Sequence, residues 1–341
     1  MRVVEQDGRQ YHVGGRRTPA ILPVRGVMPL RRYLLAEALP TPPASVNYAT
    51  AVPNVVGEMY LNDNLGDCVI ACAGHVVGTE TGNADGEADA VLFTNAQIQA
   101  MYGWCGYNGT PQSDQGCNII PTFQAWQAHG APIGNTANSP EGWVSVDPTN
   151  QTDMQTAIWL FGNLVLGVNL PNDIVQNMPN ASGFTWSDTA NPPDPNNGHC
   201  VPIVGYNAAT GLYVILTWGM WGYVTAAWLA KYLVASAGGE MYTVAMQDSI
   251  NVATQLAPSG FNWAQLQSDF LDMGGTIVPA PTPTPTPTPI PTPTPTPIPR
   301  GTVMVGGFTP GALAQIVAAL EGSEAVNAVP GVWIENHHHY R

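Results

Sequence analysis

The chain has 341 residues, of which 45% are hydrophobic and only 10% charged, and its formal net charge is −14. That is ample apolar material for a sizeable core, and the length suits one large α+β unit or two domains. The acidic balance excludes a body that binds nucleic acid, because carboxylates repel phosphates, and no stretch approaches the ~18 uninterrupted apolar residues of a membrane span.

Charge is unevenly placed along the chain. Residues 1–32 carry seven arginines against Glu5 and Asp7, a local balance of +5, which leaves −19 for the remainder. This basic arm predicts either a solvated tail or a segment that meets an acidic partner, such as the body of another copy. Met1 to Gly15 is polar, with no apolar run of the kind a secretory signal requires. The expectation is a protein that stays in the cell that makes it, or leaves by lysis, in a phage particle or by another route without a signal. Residues 18–57 are rich in proline and read as an extended strap, with one short helix near Leu30–Ala38.

The stretch from Tyr60 to Gly78 organises the rest. Its first half is rich in Asn, Asp and Gly, which favour turns; its second half is apolar and small, and the change falls at Cys68. A tight loop is expected to hand over to a buried helix whose first residue is a cysteine. A helix start presents unpaired N–H groups and partial positive charge, so a thiol there loses its proton more easily. Asn62, six residues upstream, can offer a side-chain NH2 where a carbonyl oxygen gains negative charge during attack. Asp67 opposes this, since an adjacent carboxylate disfavours a thiolate unless it turns outward. Cys72, one turn on, reads as packing, and His75 as a packed or surface histidine.

Helical spacing recurs at Thr94–Gly103 and Ile119–His129. Cys105 and Cys117 flank a Gly-rich loop between them and are the best candidates for a disulfide in an oxidising compartment. A strand at Trp143–Val146, a helix at Thr152–Phe161 and a continuously apolar strand at Leu164–Leu170 follow. The Asn- and Pro-rich run Asn191–Asn197 reads as a loop delivering His199 to a strand that runs to Tyr206, with Cys200 facing away into the core. Leu212–Gly219 is a further strand, Thr225–Leu233 a helix, Glu240–Met246 a strand and Trp263–Phe270 a last helix.

Composition then breaks. Pro279–Pro299 is nearly pure Pro-Thr repetition, which lacks the N–H groups of helix or central strand. As polyproline II at ~3.1 Å per residue it reaches on the order of 65 Å. Beyond it, Leu313, Ile316, Val317 and Leu320 form an apolar stripe that so short a segment cannot bury alone, which predicts docking on a partner or a weakly ordered appendage. His337, His338 and His339 read as a solvated terminus. The cysteines and histidines show no zinc-type spacing, and no phosphate loop follows a strand, so neither metal nor cofactor is expected. The organisation is a basic arm and strap over 1–57, a folded body over 58–278, a linker over 279–299 and a docking segment over 300–341.

A cysteine heading a helix, Gly198-His199 opening a strand that ends in Val204-Gly205-Tyr206, and a strand ending in Trp218-Gly219 together resemble the papain-like cysteine peptidase superfamily. The chain also looks like a group of bacterial and phage-encoded proteins with Asn-Asp-x-x-Gly-Asp-Cys and Gly-His-x-Val-Pro motifs, here Asn62–Cys68 and Gly198–Pro202. The resemblance covers roughly residues 58–225 and implies an α+β, two-lobed fold, a helical lobe beside an antiparallel β lobe. It places Cys68 as nucleophile, His199 as base, Asn62 in the position of the oxyanion Gln and Trp218 as the indole that shields the site. The family's orienting Asn aligns with Leu216, which makes no hydrogen bond. Thr217 lies one residue along, where strand alternation points it to the other face.

Two functions follow as expectations. One is a thiol-dependent hydrolase, a peptidase or amidase acting on a peptide or amide substrate through the Cys68–His199 pair. The other is a catalytically weak or silent module serving as a structural subunit of a virion or extracellular assembly, with residues 1–32 and 300–341 engaging neighbours.

Overall fold

A computed structural model describes residues 2–19, 39–133 and 136–277. The chain divides into one compact unit, Met1–Thr284, and another, Pro285–Arg341. The helix expected near Leu30–Ala38, the Pro-Thr linker and the segment 300–341 lie outside the described residues.

The arm departs from expectation at once. Strands β1 (Arg2–Gln6) and β2 (Arg9–Val13) form an antiparallel hairpin. Asp7 and Gly8 turn it with φ of 51° and 76°, the positive angles that an Asp-Gly pair supplies most readily. Val13 and Tyr11 alternate inward and are fully buried, so the hairpin belongs to the core of the body. The strap then adds β3 (Ser45–Asn47) to the edge of the later strand at Gly205–Asn207 and ends in the short helix α1 (Pro53–Gly57).

Helix α2 (Cys68–Asp85) is buried along almost its whole length. Gly74, Gly78 and Gly82 recur every fourth residue and so share one face. A Cβ at Gly82 would lie 2.4 Å from Val52 Cγ1, and one at Gly78 would lie 2.8 Å from Val55 Cγ1. The glycine face is what lets α1 and its approach lie directly on the helix. Helix α3 (Asn95–Tyr102) starts with a reciprocal cap between Thr94 and Gln97, and α4 (Ile119–His129) ends at Gly130 with φ 67°. Between them Cys105 and Cys117 are joined in a disulfide with Cα atoms 5.5 Å apart.

The remaining elements build the sheet and its cover. They are β4 (Ala131–Ile133), β5 (Thr136–Asn138), β6 (Gly142–Ser145), α5 (Gln151–Phe161), β7 (Leu164–Pro171), α6 (Asn172–Gln176), β8 (Phe184–Trp186), β9 (Pro193–Asn207), β10 (Leu212–Thr217), β11 (Met220–Thr225), α7 (Ala226–Tyr232), β12 (Glu240–Ala245) and α8 (Trp263–Asp272). The main sheet runs β6-β12-β7-β9-β10-β11-β8, with β3 beside β9. Its pairs are antiparallel except β11 with β8. The run expected as a loop before His199 is strand, because Pro193 pairs with Pro171 across a register shift and β9 starts there.

Period-two alternation sends Val165, Cys200, Tyr242 and Val244 toward α2, α3 and α4, while Leu164, Leu166, Val201 and Ile203 face the opposite apolar cluster. A helical part and an antiparallel sheet thus meet along α2 and β9, the α+β arrangement that the motif order implies.

Candidate active site

The first residue of α2, Cys68, and the histidine of β9, His199, are both 0% exposed. The backbone N–H of Cys200, the residue after His199, faces the Cys68 thiol and favours its thiolate. Burial pushes the thiol pKa well up, and the neighbouring Cys200 thiol and the Asp67 carboxyl add to it, while Arg16 pulls the other way.

His199 is held on two sides. Its Nε2 lies 2.8 Å from Thr217 Oγ1, and its ring stacks on the Trp218 indole at 4.3 Å and 8°. Nδ1 has no hydrogen-bond partner, so thiol and imidazole are not bonded to each other in this form. Burial lowers the His199 pKa to about 3, which keeps the ring neutral.

Alternation holds, but it is Thr217 and not residue 216 that faces the imidazole. Leu216 points into the apolar core and is fully buried there, which is why an amide at that position is not needed for the fold. The hydroxyl one residue on reaches the imidazole, on a strand that carries a register shift against β9 at Val214/Ile215. Trp218 follows with φ 50°, a left-handed conformation rare outside glycine and Asn that turns the indole back over His199.

Asn62 is buried in the loop that leads into α2. Its Nδ2 donates to Leu65 O at 3.4 Å and to Asp67 Oδ1 at 3.5 Å, both at the long limit of a hydrogen bond. Asp67 does not turn outward. It is fully buried, and burial first, then nearby Asp114, raises its pKa well above the ordinary carboxyl range. The Asp67 carboxyl nonetheless still adds to the upward shift of the Cys68 thiol. Cys72 and Cys200 are buried with their thiols against each other, and His75 is buried against Tyr60.

The residues that sequence reasoning missed belong to the arm. Tyr11 packs edge-on against Trp218 at 5.5 Å, and Arg9 Nη2 donates to Trp218 O at 2.9 Å. From there Gly14 to Arg17 crosses the candidate site. Gly14 N donates to Gly198 O at 2.8 Å, Arg17 N to Cys117 O at 2.7 Å, and Cys117 N to Gly15 O at 2.8 Å. The Arg16 guanidinium is buried against Glu240. The basic arm therefore meets acidic charge on its own body. The only signal for this in the sequence is the Gly14-Gly15 pair followed by two arginines, which does not name a partner 224 residues away.

No family model matches the sequence, and no curated protein sequence does. Among solved structures, the chain is similar to xylellain, a cysteine protease from Xylella fastidiosa, at 14% identity over 70% of this chain and 97% of that one, with a TM-score of 0.49. It is also similar to digestive procathepsin L2 proteinase from Tenebrio molitor larval midgut, at 14% identity over 69% and 78% with a TM-score of 0.47. Procathepsin B S9 from Trypanosoma congolense overlaps at 10% identity over 68% and 87%, again with 0.47. In the chain's own architecture a cysteine-headed helix lies against a largely antiparallel sheet that carries the histidine and the tryptophan. Among the described residues no helix is long and apolar enough to cross a membrane.

Proposed function

We propose that the chain is a thiol-dependent hydrolase of amide bonds, a peptidase or amidase, in which Cys68 is the nucleophile and His199 the base. The observation that carries this is the clasp on His199: Nε2 engaged by Thr217, one ring face covered by Trp218, and Nδ1 left free. A buried imidazole with one nitrogen fixed and the other unpaired is arranged to take a proton.

In the reaction, Nε2–H donates to the Thr217 hydroxyl oxygen, which selects the tautomer whose Nδ1 accepts the Cys68 proton. The thiolate attacks the carbonyl carbon, and the C=O electron pair moves to oxygen. The backbone N–H of Cys68 and the Asn62 amide, swung away from Leu65 and Asp67, receive that oxyanion. The imidazolium then protonates the leaving amine, and water, deprotonated by His199, cleaves the thioester. Trp218 shields the His199–Thr217 bond from competing water. For substrate to enter, residues 14–17 must leave the site.

A silent structural module is the second reading, favoured by the complete burial of Cys68 and His199 and by the absence of a bond between them. The two part on one experiment with the full chain carrying Arg16→Ala, which loosens the arm. The hydrolase reading expects an iodoacetamide probe at near-neutral pH to capture Cys68 over Cys72 and Cys200, and peptide hydrolysis that disappears when Cys68→Ala is added. Hydrolysis that persists without Cys68, or labelling with no selectivity, ends the reading.

A further inference from the structure

Buried groups outside the catalytic pair are mostly self-contained, such as Asn163 bridging Glu80 and the Val244 carbonyl. The arm is different, because it lies in a groove whose walls approach it backbone to backbone. Three close approaches define that groove. A Cβ at Gly116 would fall 2.0 Å from the Gly15 carbonyl oxygen, and one at Gly198 would fall 2.1 Å from the Arg16 carbonyl oxygen. Gly15 itself passes so close to the Gly66 carbonyl that a Cβ there would sit 2.3 Å from its oxygen. Bare backbone on the body meets bare backbone on the arm, and Gly198 O and both main-chain polar groups of Cys117 bond to it. An added strand recognised through its main chain is the mode by which a protein holds an extended peptide of variable sequence.

One side chain of that strand enters a pocket. Arg16 Nε donates to Glu240 Oε1 at 3.0 Å and Nη2 donates to the same oxygen. Nη1 donates to Gly238 O at 2.7 Å, to Asn169 Oδ1 at 3.3 Å and to the arm's own Thr18 Oγ1 at 3.3 Å. Glu240 is held in place by Tyr242, whose hydroxyl donates to Oε2 at 2.8 Å. The room comes from Gly167, where a Cβ would lie 2.8 Å from Arg16 Nε. Register places the pocket beside the candidate site: Glu240 pairs with Gly167, and Gly167 with Cys200, the neighbour of His199. A planar fork of donors matched on three body groups is selective for guanidinium over ammonium or a neutral side chain.

We propose that this groove is the substrate site, that it takes an extended peptide bearing an arginine in the Glu240–Asn169–Gly238 pocket, and that residues 14–17 are its resident occupant. The proposal deepens the hydrolase reading and rests on it for the chemistry, but the pocket can be tested by binding alone.

The test uses the full chain carrying Arg16→Ala, with capped pentapeptides of the sequence Gly-Gly-Arg-Arg-Thr and their twins holding citrulline, the neutral isostere, at the first arginine. Arginine peptides are expected to raise Tm and to bind at least 10-fold more tightly than the citrulline twins, with the preference lost when Glu240→Gln is added. In a mixed peptide pool, cleavage sites are expected to show arginine at one fixed distance from the broken bond. Equal binding of arginine and citrulline peptides overturns the proposal, even if Cys68-dependent hydrolysis continues. Arginine preference without hydrolysis upholds the pocket and removes the hydrolase reading instead. Should Arg16→Ala fail to fold, Arg16→Lys keeps the cation with fewer donors, and the same arginine-against-citrulline comparison decides.

Discussion

Replacing Thr217 by valine tests the contact on which the candidate site depends. The two side chains have nearly the same shape, so the packing of β10 is kept and only the hydroxyl is lost. His199 is fully buried, its Nδ1 already lacks a partner, and Nε2 lies 2.8 Å from Thr217 Oγ1. The variant leaves both ring nitrogens unsatisfied away from water, a cost of about 1–3 kcal/mol. For a folded unit of this size each kcal/mol moves Tm by about 2–4 °C, so the expected fall is on the order of 2–12 °C. Scanning calorimetry at pH 7.5, above the ordinary titration of histidine, reads this without a change in protonation. Thr217→Ser, which keeps the hydroxyl, should recover most of the loss, and in an opened variant Thr217→Val should slow hydrolysis because the imidazole is free to turn. A valine variant within ~1 °C of the parent would show that the hydroxyl does not hold the ring, and the clasp argument would go with it.

The pH dependence has a definite sign. His199 titrates at about 3 when folded, against 6.5 for the free residue, so its contribution is complete above pH 6.5 and is lost as pH falls from there toward 3, at about 1.4 kcal/mol per unit. Asp67, Glu80 and Asp248 are shifted upward and act in the opposite sense, so the quantity to measure is the difference in denaturant stability between parent and His199→Gln, flat above pH 6.5 and narrowing below it. A difference that stays constant down to pH 4 contradicts the burial argument. Gly82→Ala should destabilise by about 1–3 kcal/mol through overpacking against Val52, whereas an unconstrained helix would gain from alanine; equal or higher stability by urea titration refutes the close approach of α1. Reduction of Cys105–Cys117, which closes a loop of sequence separation 12, should cost about 3 kcal/mol, read as a lower Tm in dithiothreitol, and an unchanged Tm would mean that the loop is held without it.

What the sequence determined by itself was local and patterned. Small apolar residues after Gly66-Asp67 specify a buried helix headed by Cys68. β-branched residues after His199 specify a strand, and Thr94 and Gln97 announce a helix start. These depend on neighbours a few positions apart, so periodicity carries them. The hairpin at Asp7-Gly8 was equally local and was legible in principle as a turn pair between alternating residues.

The tertiary structure decided the rest. Whether Leu216 or Thr217 faces the imidazole depends on how β10 pairs with β9, which alternation along one strand does not contain. The carboxyl of Asp67 holds its proton more tightly because of what buries it, and its own position in the chain says nothing of that. The fate of the arm is the extreme case: Arg16 finds Glu240 across 224 positions, because only folding brings β7, β9 and β12 into one row and leaves glycine where the arm must pass.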